Sequence, residues 1–337
     1  MAATLNHSEG PVKRAYAARD GRQGAISESD APMSVYLPIA ELAIGLHVLI
    51  LLGLVVGFLS GMFGIGGGFI TTPFLIFLGV PPPIAVGTGA SQVVASSVSG
   101  AIANWKRGNV DVRMGLLLIA GGMVGATAGI ALQRLLKAAG QLDFFIAMSY
   151  VVLLGTVGGL MLVESIRAMR PAPGPLKTSS RRGGQHIWVQ RLPIKLRFRV
   201  AKLYISAIPP VAIGVLIGLL TAVMGVGGGF LLVPALIYLL RVPTKVVIGT
   251  SQFQVVFITA FATLLQATQN YSVDLLLAAP LMIAGVFGAQ YGVRAGQRLN
   301  AEQLRALLAI LVLLVAIRLA FGLVIVPDEL YELDDRP

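Results

Sequence analysis

The sequence predicts an all-α polytopic membrane protein, with about ten hydrophobic segments arranged as two inverted five-segment repeats containing glycine-broken helices. Three observations carry this. The 337 residues are 56% hydrophobic and only 12% charged, about half the charge of a soluble domain. Apolar runs near twenty residues recur, the length needed to cross a bilayer. The second half of the chain also repeats the first.

The elements follow in order. Residues 1–38 are a polar tail of mixed charge without the compact apolar stretch of a signal peptide. The first transmembrane repeat, 39–165, holds segments near 39–59, 68–80, 84–104, 114–133 and 143–163. Residues 166–205 read as a basic cytoplasmic linker, rich in Pro, Gly and Ser, with ten Lys or Arg and no acidic residue between Arg167 and Lys202. The second repeat, 206–326, holds segments near 206–223, 229–240, 246–267, 275–293 and 304–326, and an acidic tail, 327–337, closes the chain. Gly57–Leu78 and Gly218–Leu239 match at 11 of 22 positions without a gap, and the order of later matches persists through Gly129 and Gly292. An odd number of crossings per copy turns the second copy upside down, as in many secondary transporters. The thirteen residues of 68–80 are short for a crossing; if they re-enter instead, the copies are parallel.

The net charge of +11 sits mainly in the linker and reads as a topology signal. It gives no reason to expect a nucleic-acid partner. With no cysteine and three scattered histidines, no metal site, thiolate chemistry or cofactor is expected. His47 is expected in the middle of segment one, without a repeat partner, and Arg318 in segment ten reads as snorkelling to the surface.

Gly122, Gly125 and Gly129 lie on one helix face and read as close-packing positions. The clusters Gly64, Gly66, Gly67, Gly68 and Gly225, Gly227, Gly228, Gly229 present no single face. They instead permit positive φ and unwound backbone, which membranes tolerate only beside protein or a water-filled cavity. The helices that follow begin with free N–H groups at a positive dipole end, which attracts anions. Helix packing is the competing explanation. Pro73 and Pro234 break or hinge those helices. Thr88, Ser91 and Gln92, with Thr250, Ser251 and Gln254, begin the next helix of each copy and either bind an oxyanion or bond between helices.

These residues resemble the sulfite exporter TauE/SafE family, also called the four-toluene sulfonate uptake permease family. The resemblance rests on "GGGF" at Gly66–Phe69 with Pro73, its copy at Gly227–Phe230 with Pro234, and the "GT" pairs Gly87-Thr88 and Gly249-Thr250. It covers roughly residues 40 to 325, and the first copy departs from the usual pattern by placing its serine at Ser91. The resemblance implies a multi-pass transporter of the cell (inner) membrane, not an enzyme, carrying small sulfur-containing anions such as sulfite, thiosulfate or organosulfonates. The partners expected are that anion and the lipid bilayer, with the coupling ion, proton or sodium, left open. A passive anion channel is the alternative, followed by an intramembrane enzyme or lipid-handling protein.

Overall fold

The computed structural model describes residues 34–40, 42–63, 65–169, 195–198, 200–201, 203–240, 242–296 and 301–324. The polar N-terminal tail before 34, the linker residues 170–194 and the acidic C-terminal tail lie outside them. The described chain is mostly helical. The first half contains α1 (Leu46–Phe63), α2 (Gly68–Phe77), α3 (Pro82–Lys106), α4 (Val112–Ala138) and α5 (Leu142–Met169). The second contains α6 (Ile208–Met224), α7 (Gly229–Tyr238), α8 (Thr244–Leu265), α9 (Leu275–Gly296) and α10 (Ala301–Val324), and α8 ends in a π-helical turn, Gln266–Asn270.

Two departures from the sequence reading are hairpins. Strands β1 (Ser34–Leu37) and β2 (Leu42–Gly45) pair antiparallel ahead of α1, so the segment expected at 39–59 becomes helical only at Leu46. Strands β3 (Lys195–Phe198) and β4 (Leu203–Ser206) pair in the same way ahead of α6, so the last part of the expected linker is folded. The chain is therefore not purely α. Each hairpin is fixed from the opposite half. Ile39 donates its N–H to Asp274 at 3.1 Å, and Val200 and Ala201 donate theirs to Asp111 at 3.1 Å. Asp111 also caps α4 through Met114, and Asp274 caps α9 through Leu276 and Leu277.

Among the described residues, five helices are long and apolar enough to cross a membrane: Leu46–Phe63, Val112–Ala138, Leu142–Val163, Val246–Asn270 and Leu275–Gly296. The 25-residue α3 is long enough but carries Gly, Ser, Thr and Gln. Most of its first half is buried, so protein replaces lipid around it. Helices α2 and α7 have ten residues each, about 15 Å, half the hydrocarbon thickness.

Helix pairing is mainly between the halves. α1 runs parallel to α9, because Gly57 faces Gly285, Gly61 faces Ala289 and Met62 faces Gly296. α4 runs parallel to α6, with Gly121 against Val211, Gly125 against Val215 and Gly129 against Leu219. A methyl group at Gly125 or Gly292 would collide with a carbonyl of the neighbouring helix, which is the close packing that small residues permit. α3 and α8 cross antiparallel at the centre: Trp105 meets Phe253, while Val255 and Thr259 approach the glycines beside Val93. α5 packs on α10.

Candidate functional site

The two glycine breaks adopt one backbone form. α1 stops at Phe63 and α2 starts at Gly68; α6 stops at Met224 and α7 starts at Gly229. Between them φ is 91° at Gly66 and 57° at Gly67, and 77° at Gly227 and 71° at Gly228. A side chain strains such backbone, so glycine is required here. Gly225 is also left-handed, at 69°. Gly64 lies outside the described residues. In each break a tight turn closes through the first helical N–H: Gly68 donates to the Gly66 carbonyl and Gly229 to the Gly227 carbonyl.

The breaks touch. A methyl group on Gly68 would strike the Gly225 carbonyl, and one on Gly229 the Ile65 carbonyl. The rings of Phe69 and Phe230 stack with centroids 4.9 Å apart and planes 16° apart. The structure therefore brings the starts of α2 and α7 together. Among the described residues, no backbone acceptor takes the N–H of Phe69 or Phe230. Pro73 and Pro234 sit one turn in and cannot donate to the carbonyls of Phe69 and Phe230. Two positive dipole ends thus lie beside each other in a buried centre.

The polar residues at the starts of α3 and α8 divide into two groups. Thr88 accepts from the Asp274 N–H at 3.2 Å and Thr250 from the Asp111 N–H at 3.0 Å, so both tie one half to the other. Ser91 donates to the Gly87 carbonyl and Ser251 to the Ile248 carbonyl, each within its own helix. The glutamines differ. Gln92 is fully buried, and its Oε1 accepts from the Thr71 hydroxyl at 2.5 Å, leaving Nε2 unpaired. Gln254 is fully buried with neither amide atom paired.

Two further hydroxyls were not singled out from the sequence. Ser97 Oγ and Thr221 Oγ1 are buried and unpaired. Ser97 Oγ would lie 3.3 Å from a methyl group at Gly66, and Thr221 Oγ1 2.8 Å from one at Gly228. Ser60 holds the corresponding place beside Gly67. The ungapped repeat alignment pairs Ser60 with Thr221, and hydroxyls recurring one turn before both breaks were the available signal.

His47 lies in the first turn of α1 and is exposed, not in mid-segment. Arg318 is exposed, with its guanidinium 5.2 Å from the Phe77 ring centre. Among the described residues, no three His, Asp or Glu side chains gather as metal ligands.

The family model described as "Sulfite exporter TauE/SafE" matches residues 49–319. The chain is 31% identical over 269 residues to a probable membrane transporter protein of Xylella fastidiosa (strain 9a5c), covering 79% of this chain and 91% of the relative. It is 27% identical over 274 residues to the probable membrane transporter protein YjnA of Bacillus subtilis (strain 168), covering 80% and 98%. The sulfite exporter TauE/SafE family protein 3 of Arabidopsis thaliana is 30% identical over 118 residues, 34% of this chain and 25% of that protein. No solved structure matches.

Proposed function

We propose a substrate and a binding site for this chain, which belongs to the sulfite exporter TauE/SafE family and is a multi-pass membrane transporter. The substrate is a small sulfur-containing anion of the sulfite, thiosulfate or organosulfonate class. It binds between the starts of α2 and α7, to backbone N–H groups of the two glycine breaks. Gln92, Gln254, Ser97 and Thr221 supply the side-chain hydrogen bonds, while Thr88, Ser91, Thr250 and Ser251 hold the surrounding backbone. The observation that carries this reading is the stacking of Phe69 on Phe230, which puts two helix starts side by side.

The chemistry suits reversible transport. A fixed cation at mid-membrane costs several kcal/mol to bury and holds an anion tightly. A helix start carries only about half a charge and leaves the ligand free to depart. Buried amides and hydroxyls without partners are costly unless a ligand supplies the missing bonds.

The two halves are inverted copies in this reading. Support comes from α3 and α8, equivalent helices that cross antiparallel, as a two-fold axis in the membrane plane requires. The parallel pairs α1–α9 and α4–α6 follow from the same axis. The positive-inside rule then puts the linker in the cytoplasm of a cell with this protein in its inner membrane, so a cysteine at Ser180 is labelled by impermeant reagent only from that side.

The function is tested in proteoliposomes with sulfite, thiosulfate, taurine-like sulfonates and small carboxylates. Saturable uptake and counterflow of one sulfur anion are expected. Ohmic single-channel currents in its place would make the protein a channel, and preference for carboxylates would overturn the substrate class.

A further inference from the structure

We propose that a second anion-binding site lies at the extracytoplasmic mouth, with Lys137 as its cation and a glutamine–asparagine plug as its floor. This rests on the transport reading above for its physiological ligand, but its geometry is separate from the glycine breaks.

A cavity of about 220 Å³ lies between the start of α3, the end of α4 and the α8–α9 connection. Its wall includes Pro83, Ile84, Gln133, Lys137, Asn270 and Ser272, and Lys137 is the charged side chain among the lining residues. Asp274 stands behind the wall, but its carboxylate is taken up by the N–H groups of Ile39, Leu276 and Leu277. With the linker cytoplasmic, α5 crosses between the linker and this cavity, so the cavity faces outward. Lys137 there opposes the positive-inside preference. A charge kept on the disfavoured side at the rim of a polar cavity has a use, and attracting an anion is that use.

The floor is a closed network. Gln266 Nε2 and Asn270 Nδ2 each donate to Gln133 Oε1 at 2.8 Å. Asn270 Nδ2 also donates to Gln266 Oε1 at 2.8 Å, and Ser272 Oγ to the same oxygen at 2.9 Å. Below them, Gln133 Nε2 donates to the Val223 carbonyl at 3.1 Å and Gln266 Nε2 to the Ala222 carbonyl at 2.9 Å. Those carbonyls belong to the last turn of α6, immediately before the second break. From the other wall, Val86, two residues past Ile84, packs on Gly225. One layer of side chains therefore separates the outer cavity from the second glycine break.

That layer is mounted on irregular backbone. Gln266 to Asn270 form a π-helical turn, and Tyr271 follows at φ 51°. Among the described residues Tyr271 is the non-glycine residue with positive φ. π-turns and left-handed non-glycine residues concentrate at functional, movable positions. An anion held by Lys137 competes for the Asn270 amide and the Ser272 hydroxyl, and freeing these loosens Gln133 from α6. The mouth site thus receives the anion and its floor gates the way to the breaks.

The chain has no cysteine, so a single thiol reports the local field directly. Pro83→Cys places one in the wall, and Ile84→Cys serves if the first variant fails to reach the membrane. Anionic and cationic methanethiosulfonate reagents are added to intact cells, and each rate is divided by its rate with a free thiol. The anionic reagent should be favoured by about threefold or more, the low end of electrostatic steering. Lys137→Gln should remove that preference, Lys137→Arg should keep it, and methanesulfonate, which does not react with the reagents, should slow labelling. Equal normalised rates, or a preference unchanged by Lys137→Gln, overturn the proposal, as does labelling only from the cytoplasmic side. A preference that depends on Lys137 in a protein that moves no sulfur anion would leave the mouth site standing and remove the proposed substrate.

Discussion

At the first break Thr71 donates to Gln92; at the second, Leu232 occupies the matching position in the repeat and Gln254 is left with no partner. The backbones around these side chains are alike: positive φ at Gly66 and Gly67 is repeated at Gly227 and Gly228, and the same short turn precedes each helix start. The difference separates two tasks. The backbone turn, present twice, aims the helix ends. The side chains, unequal, anchor the Gln92 amide through one hydrogen bond and leave the Gln254 amide with none. A carrier built from two copies needs such inequality if its outward and inward forms are to differ in affinity.

The largest effect tests the shared part. Gly67→Val and Gly228→Val should each reduce transport more than about 100-fold, because a β-branched residue is a steric outlier at positive φ. At Gly228 the added atoms also meet Ile217 and Thr221, and at Gly67 they meet Ser60 and Val56. Alanine should be milder in both copies. Initial rates in proteoliposomes check this, and a large loss in only one copy would break the equivalence.

The next effect concerns the ties between halves. Asp111→Ala and Asp274→Ala each strip a carboxylate that accepts three backbone N–H groups. Each should cost about 4.5 kcal/mol, three charged hydrogen bonds at about 1.5 kcal/mol apiece, and lower the detergent-solubilised Tm by similar amounts. Unequal shifts would show that one hairpin matters more than the other.

A smaller effect sharpens the inequality itself. Leu232→Thr supplies the missing hydroxyl beside Gln254; by donating to Oε1 it holds Nε2 toward the anion and should tighten anion binding about fivefold, the worth of one hydrogen bond. Thr71→Val should move the first copy in the opposite direction, because it leaves Gln92 Oε1 without its donor and the amide unanchored. If both changes leave affinity untouched, the glutamines are packing residues. Smallest of all, His47→Ala should leave rates within twofold of wild type, roughly the effect of an ordinary surface substitution, since His47 is exposed at the start of α1.

The sequence and the structure agree where local chemistry decides. Glycine clusters do not favour a continuous helix, and the ten helices among the described residues lie near the expected segments. The hairpins were not readable. Ala43 and Ile44 are as apolar as the helix they precede, and what turns the chain there is a hydrogen bond from Ile39 to Asp274, 235 residues away. Thr88 and Thr250 were read as binding an oxyanion or bonding between helices, and the partners that engage them, Asp274 and Asp111, lie in the opposite half. Ser97 and Thr221 escaped because isolated hydroxyls are common in membrane helices, and only tertiary packing leaves these two unpaired.

The central claim is that the two breaks form one anion site. Equilibrium binding of radiolabelled sulfite to purified protein measures it, with wild type, Gly67→Val and Gly228→Val compared at saturation and with an excluded-volume column confirming monodisperse protein. One central site requires that either substitution alone remove the competable high-affinity binding at the breaks. Two break sites per chain, or half the capacity surviving in each variant, would contradict it.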